Sequence, residues 1–225
     1  MHYIIRKTAL ISFTILSLLA ASCGSGKGTV TANKPLAIPQ IISNKSKIVA
    51  FGDSLTAGFG LLEKESYPYL LQEKLKADGF DYEVVNAGVS GETTLGGLER
   101  IDWVLEMENV KVLILELGAN DQMRGVPVAK VKSSLDTMIR KAKAKNIRIL
   151  LCGMLAPPNS DYGREFTVIF PDLATEHKVD FLPFLLENVA LKKELNQADG
   201  IHPNADGEKI MTENVYKALK PMLVK

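Results

Sequence analysis

Short apolar runs separated by stretches of helical length constrain the fold of this chain more than any other feature. Five runs rich in Val, Ile and Leu lie at 47–52, 82–86, 111–118, 147–154 and 179–183. Continuous apolar runs are typical of strands buried on both faces, as in a parallel sheet. Five amphipathic stretches predict helices at 66–77, 93–106, 127–145, 162–176 and 204–219. Strands that alternate with helices predict an α/β fold, a three-layer sandwich with a five-stranded parallel sheet between helices.

Polar segments follow the ends of these predicted strands. The first four runs are followed, in order, by Ser54 and by the segments 88–93, 118–121 and 156–164. Ligands of such folds bind beyond the carboxyl ends of the strands, so these segments are predicted to share one edge of the sheet. Asp199 and His202 precede the last predicted helix and can reach the same edge.

One serine and one histidine suggest nucleophilic catalysis. A serine needs a base to become a nucleophile at neutral pH, and histidine is the usual one. The chain has three histidines, and His202 follows Asp199 by three residues in the sequence DGIHP. Such an aspartate can orient the histidine ring and stabilise its charged form. His177 lies in the charged stretch TEHK and is predicted to be a surface residue, which leaves Ser54, Asp199 and His202 as the candidates.

Four sequence blocks resemble those of the SGNH/GDSL hydrolases. They are GDSL at 52–55, NAGVSGET at 86–93, GAND at 118–121 and DGIHP at 199–203. Position 56 is Thr, so the serine does not lie in the G-x-S-x-G sequence of ordinary α/β-hydrolases. The chain is similar to bacterial periplasmic acyl-CoA thioesterase/lysophospholipase and arylesterase enzymes, including NDQMRG at 120–125 and YGR at 162–164. The resemblance implies a flavodoxin-like SGNH hydrolase fold over residues 47–221.

The resemblance also implies the role of each candidate residue. Ser54 attacks the acyl carbonyl to form an acyl-enzyme, His202 accepts and later returns a proton, and Asp199 orients His202. The oxyanion is held by the backbone N–H groups of Ser54 and Gly91 and by the side-chain amide of Asn120. Such a hydrolase needs no cofactor, and the chain has no cluster of His and Cys residues with metal-ligand spacing.

The predicted substrates are small-molecule or lipid esters of carboxylic acids. Acyl-enzyme chemistry serves aryl esters, lysophospholipids and thioesters alike, so the motifs do not separate these substrates. An acyl chain is predicted to lie in a groove at the same edge of the sheet. The predicted lining is Met123, Val126, Pro157, Pro158 and Tyr162. Asp53 and Asp121 are predicted to brace loops rather than to act on substrate.

Two other functions stay open at this point. One is a carbohydrate O-acetyl esterase that acts on envelope or extracellular polysaccharide, although the chain has no row of aromatic residues for sugar binding. Its single tryptophan, Trp103, is predicted to lie in the core. The other is a lipoprotein that only binds a ligand, which the complete set of catalytic residues argues against.

The N-terminus resembles the signal of a bacterial lipoprotein. A positive pair, Arg6 and Lys7, precedes an apolar stretch that is too short for an ordinary membrane-spanning helix and ends in LAASC. The resemblance implies that residues 1–22 are removed and that Cys23 is lipidated. The chain is then expected on a membrane of the cell envelope, facing the periplasm or the exterior. The alternative is a secretory signal that happens to contain a cysteine.

Residues 23–46 are rich in Gly, Ser, Lys and Pro, and they are predicted to form a flexible tether before a hydrolase domain at 47–225. About 180 residues are enough for one domain with a good core. Without residues 1–22 the formal net charge changes from +1 to −1, which gives no support to a nucleic-acid partner. Cys152 lacks a disulfide partner if Cys23 is lipidated, and it is predicted to be a small buried apolar residue. The sequence carries no signal for the oligomeric state.

Overall fold

A single parallel sheet forms the centre of the fold. The computed structural model describes residues 44–224. Its five strands are β1 (Ser46–Gly52), β2 (Tyr82–Gly88), β3 (Val110–Glu116), β4 (Arg148–Cys152) and β5 (Asp180–Leu182). They are all parallel and lie in the order β2-β1-β3-β4-β5. The predicted five-stranded parallel sheet is confirmed, with each strand end within two residues of its predicted position.

The helices lie in two layers. They are α1 (Ser54–Ala57), α2 (Tyr67–Ala77), α3 (Thr94–Leu105), α4 (Ala119–Met123), α5 (Val128–Ala144), α6 (Asp161–His177) and α7 (Ala205–Leu219), with short 3-10 turns at Glu63–Glu65, Lys193–Leu195 and Lys220–Met222. Helices α2 and α7 contact each other, whereas α3, α5 and α6 contact one another in series. Right-handed crossovers put these two groups on opposite faces of the sheet, so the predicted three-layer α/β sandwich is confirmed.

The central strands are buried on both faces because helices cover both. In β1 the side chains from Ile48 to Phe51 have no exposed surface, and in β3 those from Leu113 to Leu115 have none either. Complete burial of one such aliphatic side chain contributes about 1.5–3 kcal/mol. The well-packed sheet therefore supports the segments that follow its strands.

The burial of two side chains differs from the prediction. Trp103 is 66% exposed, because the core-facing side of α3 is made by Ile101 and Val104 and the indole points away from it. His177, predicted on the surface, is buried at the end of α6, where its Nε2 lies 2.7 Å from Oδ1 of Asp136. Cys152 is free and buried in β4, as predicted.

The N-terminal predictions lie outside the described residues. These are the signal at 1–22, the lipidated Cys23 and all but the last three residues of the tether at 23–46. Within 44–224, no helix has the length and the apolar character needed to cross a bilayer.

A buried acid joins the two helices on one face of the sheet. The first turn of α2 lacks a side-chain cap of its own, and the carboxyl group of Glu208 in α7 accepts a hydrogen bond from the backbone N–H of Tyr67 at 2.8 Å. Glu208 is 1% exposed. Burial raises the pKa of Glu208 to about 8, against the opposing effect of the Tyr67 hydrogen bond. The carboxyl group therefore holds a proton in the folded chain over a pH range where it is ionised in the unfolded chain.

This shift predicts how stability depends on pH. A raised folded-state pKa stabilises the fold below the ordinary glutamate range, and that contribution is lost as the pH rises toward about 8. Glu208→Gln keeps an oxygen acceptor for Tyr67 but cannot ionise. In urea unfolding measured from pH 5 to pH 9, the unfolding free energy should therefore fall less with rising pH for the variant than for the wild type. Parallel curves would contradict the assignment.

Candidate active site

Ser54 lies at the first turn of α1, directly after the carboxyl end of β1. The carboxylate of Asp53 caps this short helix by accepting from the backbone N–H of Leu55 at 3.0 Å. Gly58 ends the helix in the left-handed conformation, with φ of 74°. The backbone of β2 packs closely against α1 at Gly88. A Cβ on Gly88 would lie 2.2 Å from the backbone nitrogen of Ala57, so no side chain fits there. The serine is thus fixed at the edge of the sheet by its neighbours on both sides.

The structure brings Ser54, His202 and Asp199 into one hydrogen-bonded chain. Oγ of Ser54 lies 2.9 Å from Nε2 of His202, although the two residues are 148 positions apart. Nδ1 of the same ring lies 2.7 Å from Oδ2 of Asp199. The imidazole is 16% exposed, and the ring of Phe59 packs on it at 4.6 Å between centroids. This is the order of contacts that activates a serine hydroxyl.

The charge of Asp199 determines which ring nitrogen carries the hydrogen. Hydrogen bonds from the His202 ring and from the backbone N–H groups of His202 and Ile201 lower the pKa of Asp199 to about 2. Asp199 is therefore an ionised acceptor at neutral pH, so Nδ1 of the neutral ring must donate to it. Nε2 is then left with its lone pair toward the Ser54 hydroxyl, the arrangement needed in a general base.

A compact loop before α7 holds Asp199 and His202. Gly200 turns the chain with φ of 76°, and Oδ1 of Asp199 accepts from the backbone N–H groups of Ile201 at 3.0 Å and His202 at 3.1 Å. The side chain of Gln197 links this loop to the Ser54 side of the site by donating to the carbonyl of Phe59 at 2.7 Å. The loop thus has few free torsions left to change the distance between serine and histidine.

Asn120 lies beside the serine and is held by Asp53. Its Nδ2 donates to Oδ2 of Asp53 at 2.9 Å, and the side chain is 7% exposed. The second hydrogen of this amide has no acceptor among residues 44–224. Asp121, its neighbour, accepts from the backbone N–H and the hydroxyl of Thr94, both at 2.8 Å, and so braces the start of α3. The geometry of both aspartates is that of loop supports.

Gly91 lies in the turn after β2, at the same edge of the sheet. Its φ is 80°, a conformation that glycine adopts without strain. The start of the turn is bound to β1, where the N–H of Val89 donates to the carbonyl of Gly52 at 2.9 Å. Arg100 supports it from α3 through Glu92 and through the carbonyl of Ala87, which it reaches at 2.8 Å. The sequence did not single out Arg100, because a charged residue in an amphipathic helix normally faces solvent.

Glu116 is the other residue that the sequence analysis missed. It is the last residue of β3, it is fully buried, and its Oε2 accepts from the hydroxyl of Thr56 at 2.7 Å and from the backbone N–H of Asp53 at 3.1 Å. Burial, and next the charge of Asp53, raise the pKa of Glu116 well above its usual range. A lone acid inside the most apolar run of the sequence was the available signal, since acids are almost never fully buried without a partner.

A cavity of about 250 Å³ opens beside Ser54, Asn120 and His202. Its remaining walls are mainly apolar and come from segments after the third, fourth and fifth strands. They include Met123, Met154, Leu155, Phe166, Phe184 and Ile201. Asp53, Gln122 and Asn196 are the other polar residues of the lining, and the mainly apolar walls fit an apolar chain.

The predicted groove agrees with this cavity at only one of its five residues. Met123 lines the cavity, but Val126 borders a separate crevice near Pro127 and Thr94. The Tyr162 hydroxyl donates to the carbonyl of Val126 at 2.9 Å, and Tyr162 is not part of the cavity lining. The two prolines, Pro157 and Pro158, also lie outside the lining, because no residue between Leu155 and Phe166 contributes to it. Order along the chain identified the edge of the sheet but not the direction of these side chains.

One group of side chains in 44–224 has the composition of a metal site. Ligand atoms of Asp136, Glu176 and His177 lie within 4.8 Å of one another. The guanidinium of Arg140 already supplies a positive charge there, at 2.8 Å from Asp136 and 3.7 Å from Glu176. The group is therefore accounted for as an ion-pair cluster between α5 and α6.

Fold and site together define a serine-hydrolase arrangement on a parallel α/β sheet. Residues 50–210 match the model of the GDSL-like Lipase/Acylhydrolase family. The chain belongs to this family, and it is a hydrolase of carboxylic esters.

Relatives with curated names support the same class. The chain is 38% identical over 178 residues to esterase TesA of Pseudomonas aeruginosa, covering 78% of this chain and 89% of that one. It is 36% identical over 180 residues to thioesterase 1/protease 1/lysophospholipase L1 of Escherichia coli, covering 78% and 84%. Among solved structures, the psychrotrophic esterase EstA from Pseudoalteromonas, inhibited by monoethylphosphonate, aligns with a TM-score of 0.75 and 33% identity over 79% of this chain and 98% of that one.

Proposed function

We propose that Ser54 is the nucleophile, His202 the general base and acid, and Asp199 the residue that orients His202. The observation that carries this proposal is the continuous chain of hydrogen bonds, at 2.9 and 2.7 Å, through both nitrogens of the imidazole. In the first step, the Ser54 oxygen bonds to the acyl carbon while its proton moves to Nε2. The alcohol then leaves with that proton. Water attacks the acyl-enzyme by the reverse proton route and restores the free serine.

The oxyanion of each tetrahedral intermediate is proposed to bind the backbone N–H groups of Ser54 and Gly91 and the amide of Asn120. Negative charge develops on this oxygen only as the bond forms, so donors already in place stabilise the transition state rather than the bound ester. The position of Ser54 at the start of α1 and the free hydrogen of the Asn120 amide support this proposal. The positive φ of Gly91 supports it as well, because a backbone N–H can approach the substrate with no Cβ in the way.

The acyl group of the substrate is proposed to lie in the apolar cavity, which favours esters of medium or long acyl chains. Several side chains at its mouth, among them Leu155 and Ile201, are more than half exposed. Exposed apolar side chains around a site mark a place where an apolar ligand enters. Lysophospholipids and acyl thioesters fit the same cavity, in keeping with the name of the Escherichia coli relative. The carbohydrate O-acetyl esterase alternative requires only a short acyl group, which leaves these apolar walls unused.

Initial rates on p-nitrophenyl acetate, butyrate, octanoate and palmitate test the nucleophile and the cavity together. The wild type should hydrolyse octanoate or palmitate faster than acetate, and Ser54→Ala should lose activity on all four. Leu155→Glu places a charge at the cavity and should reduce octanoate hydrolysis while sparing acetate. Val168→Glu is the matched control, since Val168 is similarly exposed but lies outside the cavity on α6.

Three results would contradict these proposals. Equal rates for the wild type and Ser54→Ala would remove Ser54 as the nucleophile. Hydrolysis of acetate alone would favour the polysaccharide deacetylase. Equal losses on acetate and octanoate in Leu155→Glu would leave the acyl chain outside the cavity.

A lipid anchor at Cys23 is proposed to hold the enzyme on a membrane of the bacterial cell envelope. The support is the sequence LAASC after a short apolar stretch, followed by a segment with the composition of a tether. Full-length protein expressed in a bacterium should be found in the membrane fraction and should incorporate labelled palmitate. Cys23→Ser should lose the label. Equal labelling of both proteins, or no labelling of the wild type, would contradict the anchor.

A further inference from the structure

Glu116, Thr56 and Tyr67 form a buried polar network next to Asp53, and none of the three lines the cavity. Glu116 pairs with Gly52 in the register of β3 and β1, so its carboxyl group sits under the turn that carries Asp53 and Ser54. Its Oε2 accepts two hydrogen bonds, from the Thr56 hydroxyl and the Asp53 backbone N–H. Since the Thr56 hydroxyl donates to Glu116, the Tyr67 hydroxyl at 3.2 Å donates to Thr56.

The glycine of the GDSL block makes room for this network. A Cβ on Gly52 would lie 2.2 Å from Oε2 of Glu116 and 2.2 Å from Oγ1 of Thr56, so any side chain there would displace their hydrogen bond. The second carboxyl oxygen of Glu116, Oε1, is buried without a hydrogen-bond partner in 44–224. A buried polar atom without a hydrogen-bond partner lowers the stability of the fold. A side chain retained despite this cost is expected to have a function in its other contacts.

Asp53 and Glu116 are two buried acids, and their surroundings raise both pKa values. Two carboxyl groups this close do not both ionise readily in a buried site. The pKa of Asp53 rises only to about 6, because burial is opposed by hydrogen bonds from Leu55 and Asn120. Burial, and next the charge of Asp53, also raise the pKa of Glu116 well above its usual range. Near pH 8, Asp53 is thus charged toward the Asn120 amide, and its charge and the burial of Glu116 favour the neutral form of Glu116.

We propose that Glu116 is a positioning residue for the oxyanion hole: it fixes the backbone of Asp53, and the Asp53 carboxylate in turn fixes the amide of Asn120. This rests on the proposed role of Asn120 in binding the oxyanion. The chain of contacts runs from Glu116 Oε2 to the Asp53 N–H, and from Asp53 Oδ2 to Asn120 Nδ2 at 2.9 Å. One hydrogen of the Asn120 amide is bonded to Asp53, so the orientation that Asp53 imposes also sets the direction in which the second hydrogen points toward the substrate oxyanion.

Two substitutions of Glu116 separate this role from simple packing. Glu116→Gln stays neutral and keeps an oxygen acceptor, whereas Glu116→Met has a similar length and no such acceptor. With p-nitrophenyl butyrate at pH 8, Glu116→Met should lower kcat by about tenfold or more with KM within about twofold, because only the transition state is affected. Glu116→Gln should retain kcat within about threefold of the wild type. Equal losses in the two variants, or unchanged kcat in Glu116→Met, would overturn the proposal.

A double-mutant cycle with Asn120→Ala provides the decisive comparison. If Glu116 acts through Asn120, Glu116→Met should lower kcat by less than about twofold once the amide is gone. The same factor in both backgrounds would overturn the proposal. If Asn120→Ala alone leaves kcat unchanged, the proposed oxyanion role of Asn120 fails instead, and the two failures are distinguished.

Matched controls account for effects on folding. Glu208→Gln alters another buried acid with a raised pKa that touches neither Asp53 nor Asn120, so its effect on kcat should be small and equal in both backgrounds. Thermal unfolding of every variant reports on stability separately from kcat. Should Glu116→Met fail to fold, Thr56→Val removes one hydroxyl from the same network, and its kcat loss should likewise vanish in Asn120→Ala.

Discussion

The parallel order of the strands is the constraint on which the rest of the structure depends. Helices cover both faces of the sheet, so the loops that reach solvent lie at the ends of its strands. Because all five strands run in the same direction, their carboxyl ends reach the same edge. Ser54 follows β1, the turn of Gly91 follows β2 and Asn120 follows β3. These three residues, which are distant in the sequence, become neighbours because their strands end at the same edge.

Burial gives the three carboxyl groups near the serine different tasks. Asp199 is partly exposed and accepts several hydrogen bonds, so it stays ionised beside the His202 ring. Asp53 is buried but surrounded by donors, so it holds its charge near neutral pH and directs an amide. Glu116 is fully buried beside that charge, which raises its pKa well above the usual range and favours its neutral form. The carboxyl group thus serves as an ionised acceptor, a helix cap and an acceptor whose neutral form is favoured, according to its surroundings.

The sequence predicted the features that depend on local pattern. Continuous apolar runs identified the five strands, because a strand covered on both faces has no polar side. The motif blocks predicted that Ser54, Asn120, Asp199 and His202 lie close together, and the structure places all four at one edge of the sheet. Features that depend on the direction of a side chain were not predicted. Trp103 lies on the outer side of α3, and Tyr162 turns its hydroxyl to Val126, which periodicity and order along the chain do not reveal.

Partners that are distant in sequence account for the other errors. His177 is buried because Asp136, 41 residues away, gives it a partner. Glu116 looked like a minor interruption of an apolar strand, and its meaning depends on Thr56 and Asp53, 60 and 63 residues away. Single-residue patterns carry no record of such pairings, so a buried acid in an apolar run is best treated as a sign that a partner exists elsewhere.

The most direct test of the account is to locate the covalent adduct of a serine-directed organophosphonate by mass spectrometry. We expect one phosphonyl group per chain, on the peptide that contains Ser54, because among residues 44–224 only this serine lies within hydrogen-bond distance of the His202 ring. The labelling rate should fall by at least about 10³-fold in His202→Ala, since the hydroxyl then has no base. An adduct on another serine, no adduct, or an unchanged rate in His202→Ala would contradict the central claim that His202 activates Ser54.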